Sequence, residues 1–211
     1  MIIRRLIKLE KTTTFKNVIF DVGDVLVSFR YRDYMSDLGF DDETIEFLVD
    51  NMIFTDFWKG MDRGEEDVDE ACDHFCSLYP ELKDKIELFW NSIEDIVGEF
   101  DYSLPMIREI KEKGYKVFLL SNYPDKLADM HWKQFSFLPE VDGYIISAKV
   151  KLAKPDPKIY LMLMDRYRLK PEECLFVDDR EDNLIPAREL GIKTILFTSY
   201  DEVNKKLNEM L

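Results

Sequence analysis

Histidine and cysteine are scarce in this 211-residue chain, which has two histidines, His74 and His131, and three cysteines, Cys72, Cys76 and Cys174. Neither histidine stands in a pattern that serves a Ser-His-Asp or Cys-His relay. An odd number of cysteines without a secretory leader pattern is expected to be reduced, which points to the cytoplasm. The opening Met1–Leu9 is broken by Arg4, Arg5 and Lys8 too early for a signal h-region, so residues 1–16 are expected to form a loosely held tail. Cys72 and Cys76 flank His74, but no second ligand pair with zinc spacing follows, and they read as one face of a helix. No apolar run reaches membrane-spanning length. Positive charge is in deficit, 29 Lys+Arg against 43 Asp+Glu for a net charge of −14. That balance argues against nucleic acid and against anionic membrane surfaces as partners.

What is present suits a globular enzyme. The chain is 46% hydrophobic and 13% aromatic, enough for a substantial core. Its length fits one large domain or a core carrying one sizeable insertion. The acidic excess is concentrated in residues 33–101, where 22 Asp+Glu face only Lys59, Arg63, Lys83 and Lys85. Such an excess is usually a solvated surface, and its confinement to one stretch marks a separate module.

Asn17–Phe29 organises the rest. Val18, Ile19, Phe20 and Val22 bracket Asp21 in a short apolar run that reads as a strand buried on both faces. Gly23 follows, so the backbone can turn and approach a ligand closely. From Tyr31 to about Phe100 apolar residues recur at helical spacing, as in Ala71-Phe75-Leu78 and Ile86-Phe89-Trp90-Ile93-Ile96. Trp58–Gly64 reads as a turn-rich break between two of these helices. An insertion of roughly seventy residues is too long for a simple strand–helix connection. Strands then alternate with helices: 116–120, 143–147, 174–177 and 193–197 are apolar and β-rich, with helices between them. No hairpin turns appear, so the sheet is expected to be parallel and covered on both faces. Ligands of such sheets bind beyond the carboxyl ends of the strands. Asp21, Ser121 and Asp178-Asp179 all fall at those ends.

Three carboxylates brought together would raise one another's pKa and destabilise the fold unless a cation met them. Few carboxylates with room for water and phosphate suit Mg²⁺ better than an all-protein Ca²⁺ cage. Ser121 adds a hydroxyl, the following backbone N–H groups can hold an oxyanion, and Lys154 adds a point charge in a loop fixed by Pro155 and Pro157. Together these are the parts of metal-assisted phosphoryl transfer.

Phe20-Asp-Val-Gly-Asp-Val-Leu26, then Ser121-Asn122, then Lys154-Pro-Asp-Pro-Lys-Ile-Tyr160, then Phe176-Val-Asp-Asp-Arg-Glu-Asp-Asn183 resembles, motif by motif and in order, the haloacid dehalogenase superfamily of hydrolases. The resemblance implies a Rossmann-like α/β fold with five parallel strands ordered 3-2-1-4-5. It also implies a core of residues 17–28 and 101–211 and an inserted all-α cap of residues 29–100. It further implies that Asp21 is the nucleophile and forms an aspartyl-phosphate. Asp21, the Gly23 carbonyl and Asp179 would hold Mg²⁺, with Asp178 acting directly or through water. Ser121, the Asn122 backbone, Gly23 and Lys154 would bind the phosphoryl group, and Asn183 would orient the Asp179 region. The substrate would be a small phosphorylated metabolite and the protein a monomer or homodimer.

The pattern departs from most phosphatases of the superfamily at one place. They carry a general acid two residues after the nucleophile, where this chain has Gly23; Asp24 comes one position later and reads as a turn residue. The form Phe-Asp-x-Gly-x-Val is most similar to a subgroup that includes sugar-phosphate phosphatases of the α-glucose-1-phosphate type, so a sugar phosphate is a candidate substrate. Alternatives are a non-catalytic phosphate-binding member and a metal-independent dehalogenase, the latter disfavoured by Asp178-Asp179. Trp58, Lys59 and Arg63 are the cap candidates for substrate contact.

Overall fold

The computed structural model describes residues 15–211. The expected tail lies outside these residues, apart from Phe15, which is buried, and Lys16, whose backbone N–H donates to Glu173 O at 2.9 Å. The strands are β1 Asn17–Phe20, β2 Val27–Phe29, β3 Val97–Glu99, β4 Lys116–Ser121, β5 Gly143–Ile146, β6 Cys174–Asp178 and β7 Lys193–Leu196. Five of them form one parallel sheet in the order β5-β4-β1-β6-β7, so the first strand in the chain is central.

Alternation along each strand explains why both faces are covered. Val18, Phe20, Val117, Leu119, Leu175 and Val177 pack to one side, while Ile19, Phe118, Leu120 and Phe176 pack to the other. Helices Pro157–Tyr167 and Glu181–Glu189 close the second side through Ile159, Tyr160, Leu163, Leu184 and Ala187. Continuous apolar strands can be satisfied only by such double cover. The register places Phe20 level with Leu119 and Val177, so the next residues of all three strands emerge at one edge.

Between β2 and β3 the chain runs through helices Tyr31–Asp37, Asp42–Leu48, Asp56–Arg63, Val68–Leu78 and Lys83–Asn91, with a π-helical turn at Val49–Ile53. Two features differ from the reading of the sequence. First, Trp58–Gly64 is no break. Thr55 caps a helix at Trp58 N–H, and that helix runs to Arg63 and stops at Gly64, whose φ of 67° is left-handed. Gly60 lies inside it because Glu66 folds back to within 2.5 Å of where a Cβ would stand. Second, residues 29–100 are not wholly helical. β3 pairs antiparallel with β2 as a two-stranded ribbon whose ends adjoin both expected cap limits. Three residues joined by a long-range pairing leave no periodic signal in sequence.

Candidate active site

Asp21 leaves β1 with its N–H donating to Val177 O at 2.9 Å, which locks its backbone to β6. Its side chain turns back so that Oδ1 accepts the Val22 N–H at 2.7 Å and Lys154 Nζ at 2.8 Å. Oδ2 has no hydrogen-bond partner among the described residues. Lys154 Nζ also donates to Asp178 Oδ2 at 2.7 Å and lies over the Phe176 ring. Asp178 is saturated, since Oδ1 accepts Arg180 N–H at 2.8 Å and Asn183 Nδ2 at 2.9 Å. Asp21, Asp178 and Asp179 each offer an oxygen within 4.8 Å of the others'. Asp178 is 0%, Lys154 4% and Asp21 8% exposed.

The electrostatics follow from this crowding. Burial pushes the Asp21 carboxyl well above the usual range, and Asp178 and Asp179 add to the shift while Lys154 opposes it. Asp179 is pushed up to about 6 by burial and by the charges of Asp178 and Asp24. Burial alone would lower the Lys154 pKa, but Asp178 and Asp21 outweigh it and the net shift is upward. Three carboxylates thus share one ammonium group. An oxygen-only donor set with uncompensated negative charge fits a hard divalent cation of the Mg²⁺ kind.

The predicted phosphate ligands are brought to the same edge but not in equal roles. Asn122 clamps the Lys154 backbone, accepting its N–H at 2.8 Å and donating to its carbonyl at 2.9 Å. Its side chain therefore fixes the lysine, and only its backbone is free to face a ligand. Ser121 is 1% exposed and does not line the cavity, and its hydroxyl makes only a 3.5 Å contact with Asn122 O. Gly23 lines the cavity, and a Cβ there would meet nothing within 4 Å. Asp24 is left-handed, with φ 54°, and its Oδ1 accepts the Phe29 N–H at 3.0 Å, so it closes a turn.

Above this floor is a cavity of about 380 Å³ roofed by residues between β2 and β3. Phe29, Tyr31, Phe54 and Trp58 form an aromatic cluster with ring centroids 5.2–5.8 Å apart, and all four face the cavity. Of the cap candidates, Trp58 and Lys59 line the wall. Arg63 does not; its guanidinium is held by Glu65 at 2.7 Å. The residue that sequence reading missed is Asp62, which lines the cavity and whose carboxyl is pushed up to about 7 by burial against the opposing charges of Arg63, Lys154 and Arg180. Gly60 and Gly64 give its helix the sequence pattern of a break, which hides Asp62 from a reading by periodicity.

The family model for haloacid dehalogenase-like hydrolases matches residues 15–191. A sesquiterpene phosphatase of Aspergillus oryzae is 26% identical over 188 residues, covering 85% of this chain and 88% of that protein. Pig bifunctional epoxide hydrolase 2 is 31% identical over 121 residues, 54% of this chain, and that match spans only 22% of the larger protein. Among solved structures, a HAD-family enzyme of Bacteroides thetaiotaomicron, in complex with magnesium and inorganic phosphate, superposes with a TM-score of 0.66 at 25% identity, covering 90% of this chain and 98% of that one.

Proposed function

The chain belongs to the haloacid dehalogenase-like hydrolases, and on that footing we propose that it is a Mg²⁺-dependent phosphohydrolase that cleaves a small phosphomonoester through an aspartyl-phosphate on Asp21. The observation that carries the reading is the buried Asp21–Lys154–Asp178 triangle beside Asp179 at the carboxyl edge of the sheet. In this reading Asp21 attacks phosphorus, the ester P–O bond breaks, and water then hydrolyses the acyl phosphate to return Asp21 and release orthophosphate. Lys154 meets the charge of the transferring phosphoryl group, and Asp178, with Asn183 and the Asn122 clamp, fixes where Lys154 stands. The Asn122 backbone would face the same oxygens, whereas the Tyr123 N–H is taken by Ser147 Oγ at 2.9 Å. Mg²⁺ would be held by Asp21, the Gly23 carbonyl and Asp179, and would neutralise phosphoryl charge as the nucleophile approaches. Because Asp178 already spends both oxygens on protein donors, its part in holding the ion is better filled through water.

The wall supports a particular kind of organic group. Four aromatic rings and few free polar groups suit an alcohol with an apolar face, and Phe54 stays 58% exposed at the mouth. A sugar phosphate is the second reading, supported by the Phe-Asp-x-Gly-x-Val motif. A panel of prenyl, aryl, sugar and nucleoside phosphates, assayed for orthophosphate with Mg²⁺ and with EDTA, tests both. Mg²⁺-dependent release, greatest for the apolar esters, is expected. Halide release from a 2-haloacid in EDTA would put the dehalogenase in its place. Mg²⁺-induced stabilisation without turnover would favour the non-catalytic binding member.

A further inference from the structure

We propose that Asp62, carried by the helix Asp56–Arg63, is the general acid and base of this site, standing in for the carboxyl group that Gly23 lacks. The inference rests on the phosphohydrolase reading above.

The helix is docked so as to fix Asp62. Ser147, buried just after β5, donates from its Oγ to the Asp62 carbonyl, and the same Oγ accepts the Tyr123 N–H at 2.9 Å. One hydroxyl thus ties the Asp62 backbone to the loop that follows Ser121-Asn122. Gly64 ends the helix where a Cβ would stand 2.5 Å from Ala148 O, so the backbones touch directly. The helix end is therefore held on the core by contacts on both sides of Asp62. The Asp62 side chain faces the cavity it shares with Asp21, Gly23 and Lys154. Its carboxyl makes no hydrogen bond or ion pair among the described residues, although Arg63, Lys154 and Arg180 lie close enough to act on it. Arg63 is engaged by Glu65 instead. The charges that act on Asp62 are these three cations, and Asp62 in turn acts on the Tyr123 hydroxyl, which bonds His131 Nδ1 at 2.6 Å; Asp21, Lys59 and Asp179 line the same cavity. An unpartnered carboxyl that burial holds near neutrality is suited to give and take a proton at the pH of the cytoplasm. At Gly23 a Cβ would meet nothing within 4 Å.

The proton balance closes. As Asp21 bonds to phosphorus and the ester P–O bond breaks, the Asp62 carboxyl proton passes to the departing oxygen and the alcohol leaves. Water then attacks phosphorus, the Asp62 carboxylate takes its proton, and the P–O bond to Asp21 breaks. Orthophosphate leaves and both residues are restored.

The test compares an alkyl phosphate, whose alkoxide needs a proton to leave, with 4-nitrophenyl phosphate, whose anion does not. Asp62→Asn is expected to lose about 10²–10⁴-fold in kcat/KM for the alkyl ester. With the nitrophenyl ester it should give a rapid burst of one nitrophenolate per active site followed by slow turnover, because only the second step lacks its base. Asp62→Glu should recover part of the alkyl rate. The readout is a ratio between substrates on one preparation, so a partly unfolded variant does not mimic it. Equal losses on both esters without a burst, or no loss on either, overturn the assignment. Wild-type protein that releases phosphate from neither ester overturns the phosphohydrolase reading and this inference with it.

Discussion

Asp21 and its neighbours are held in a state that is costly without a cation. The pKa values of Asp21, Asp62 and Asp179 all lie above their ordinary value of 3.8 in the fold, Asp62 at about 7 and Asp179 at about 6. The folded state therefore binds more protons than the unfolded chain between about pH 4 and 7, and stability must fall as pH rises through that window. His131, shifted downward by burial, works the other way but is one group against three. The lowered Asp41, Asp67 and Glu173 act at its acid end and below, since their ordinary values are 3.8 and 4.5. In EDTA the melting temperature is expected to drop from pH 5 to pH 8, and added Mg²⁺ to raise it most at pH 8. A flat or rising profile in EDTA would mean that these carboxylates are already compensated. The site residues at strand ends were legible in sequence for a local reason: each follows an apolar run directly, and polarity at the end of a buried strand has few structural uses. Asp62 was not legible, because its role depends on where a distant helix docks.

The helix Asp56–Arg63 shows how a local signal misleads. Two glycines four residues apart read as a break, yet Gly60 is crowded by Glu66 and Gly64 is a left-handed stop pressed on Ala148. The two uses are opposite, and only the packing tells them apart. The strands, by contrast, were recovered within one or two residues, since a run such as Cys174–Asp178 in a parallel sheet must be apolar on both sides. The ribbon of β2 and β3 was missed because its pairing spans about seventy residues. Gly64→Ala should cost about 1–2 kcal/mol for the left-handed backbone, each worth about 2–4 °C of Tm. It should also displace Asp62 and lower kcat by up to about 10²-fold. Gly114→Ala is the control, since its φ of 91° carries the same backbone strain but a Cβ there meets nothing within 4 Å. That variant should lose stability and keep its rate. Equal rates in the two variants would separate the helix contact from catalysis.

The molecule as a whole divides its labour by charge and position. The sheet gathers charge at one edge, three carboxylates and one lysine, while the acidic stretch between β2 and β3 supplies most of the aromatic roof and Asp62. Roof and floor thus come from distant parts of the chain, and both line one cavity. In the proposed reaction the phosphoryl group passes to Asp21. Wild-type protein mixed with Mg²⁺ and a turned-over phosphomonoester, quenched in acid and digested, should show one phosphoryl group on the peptide bearing Asp21, absent from Asp21→Asn. Turnover with that peptide unmodified, or with the phosphoryl group on another residue, would contradict it.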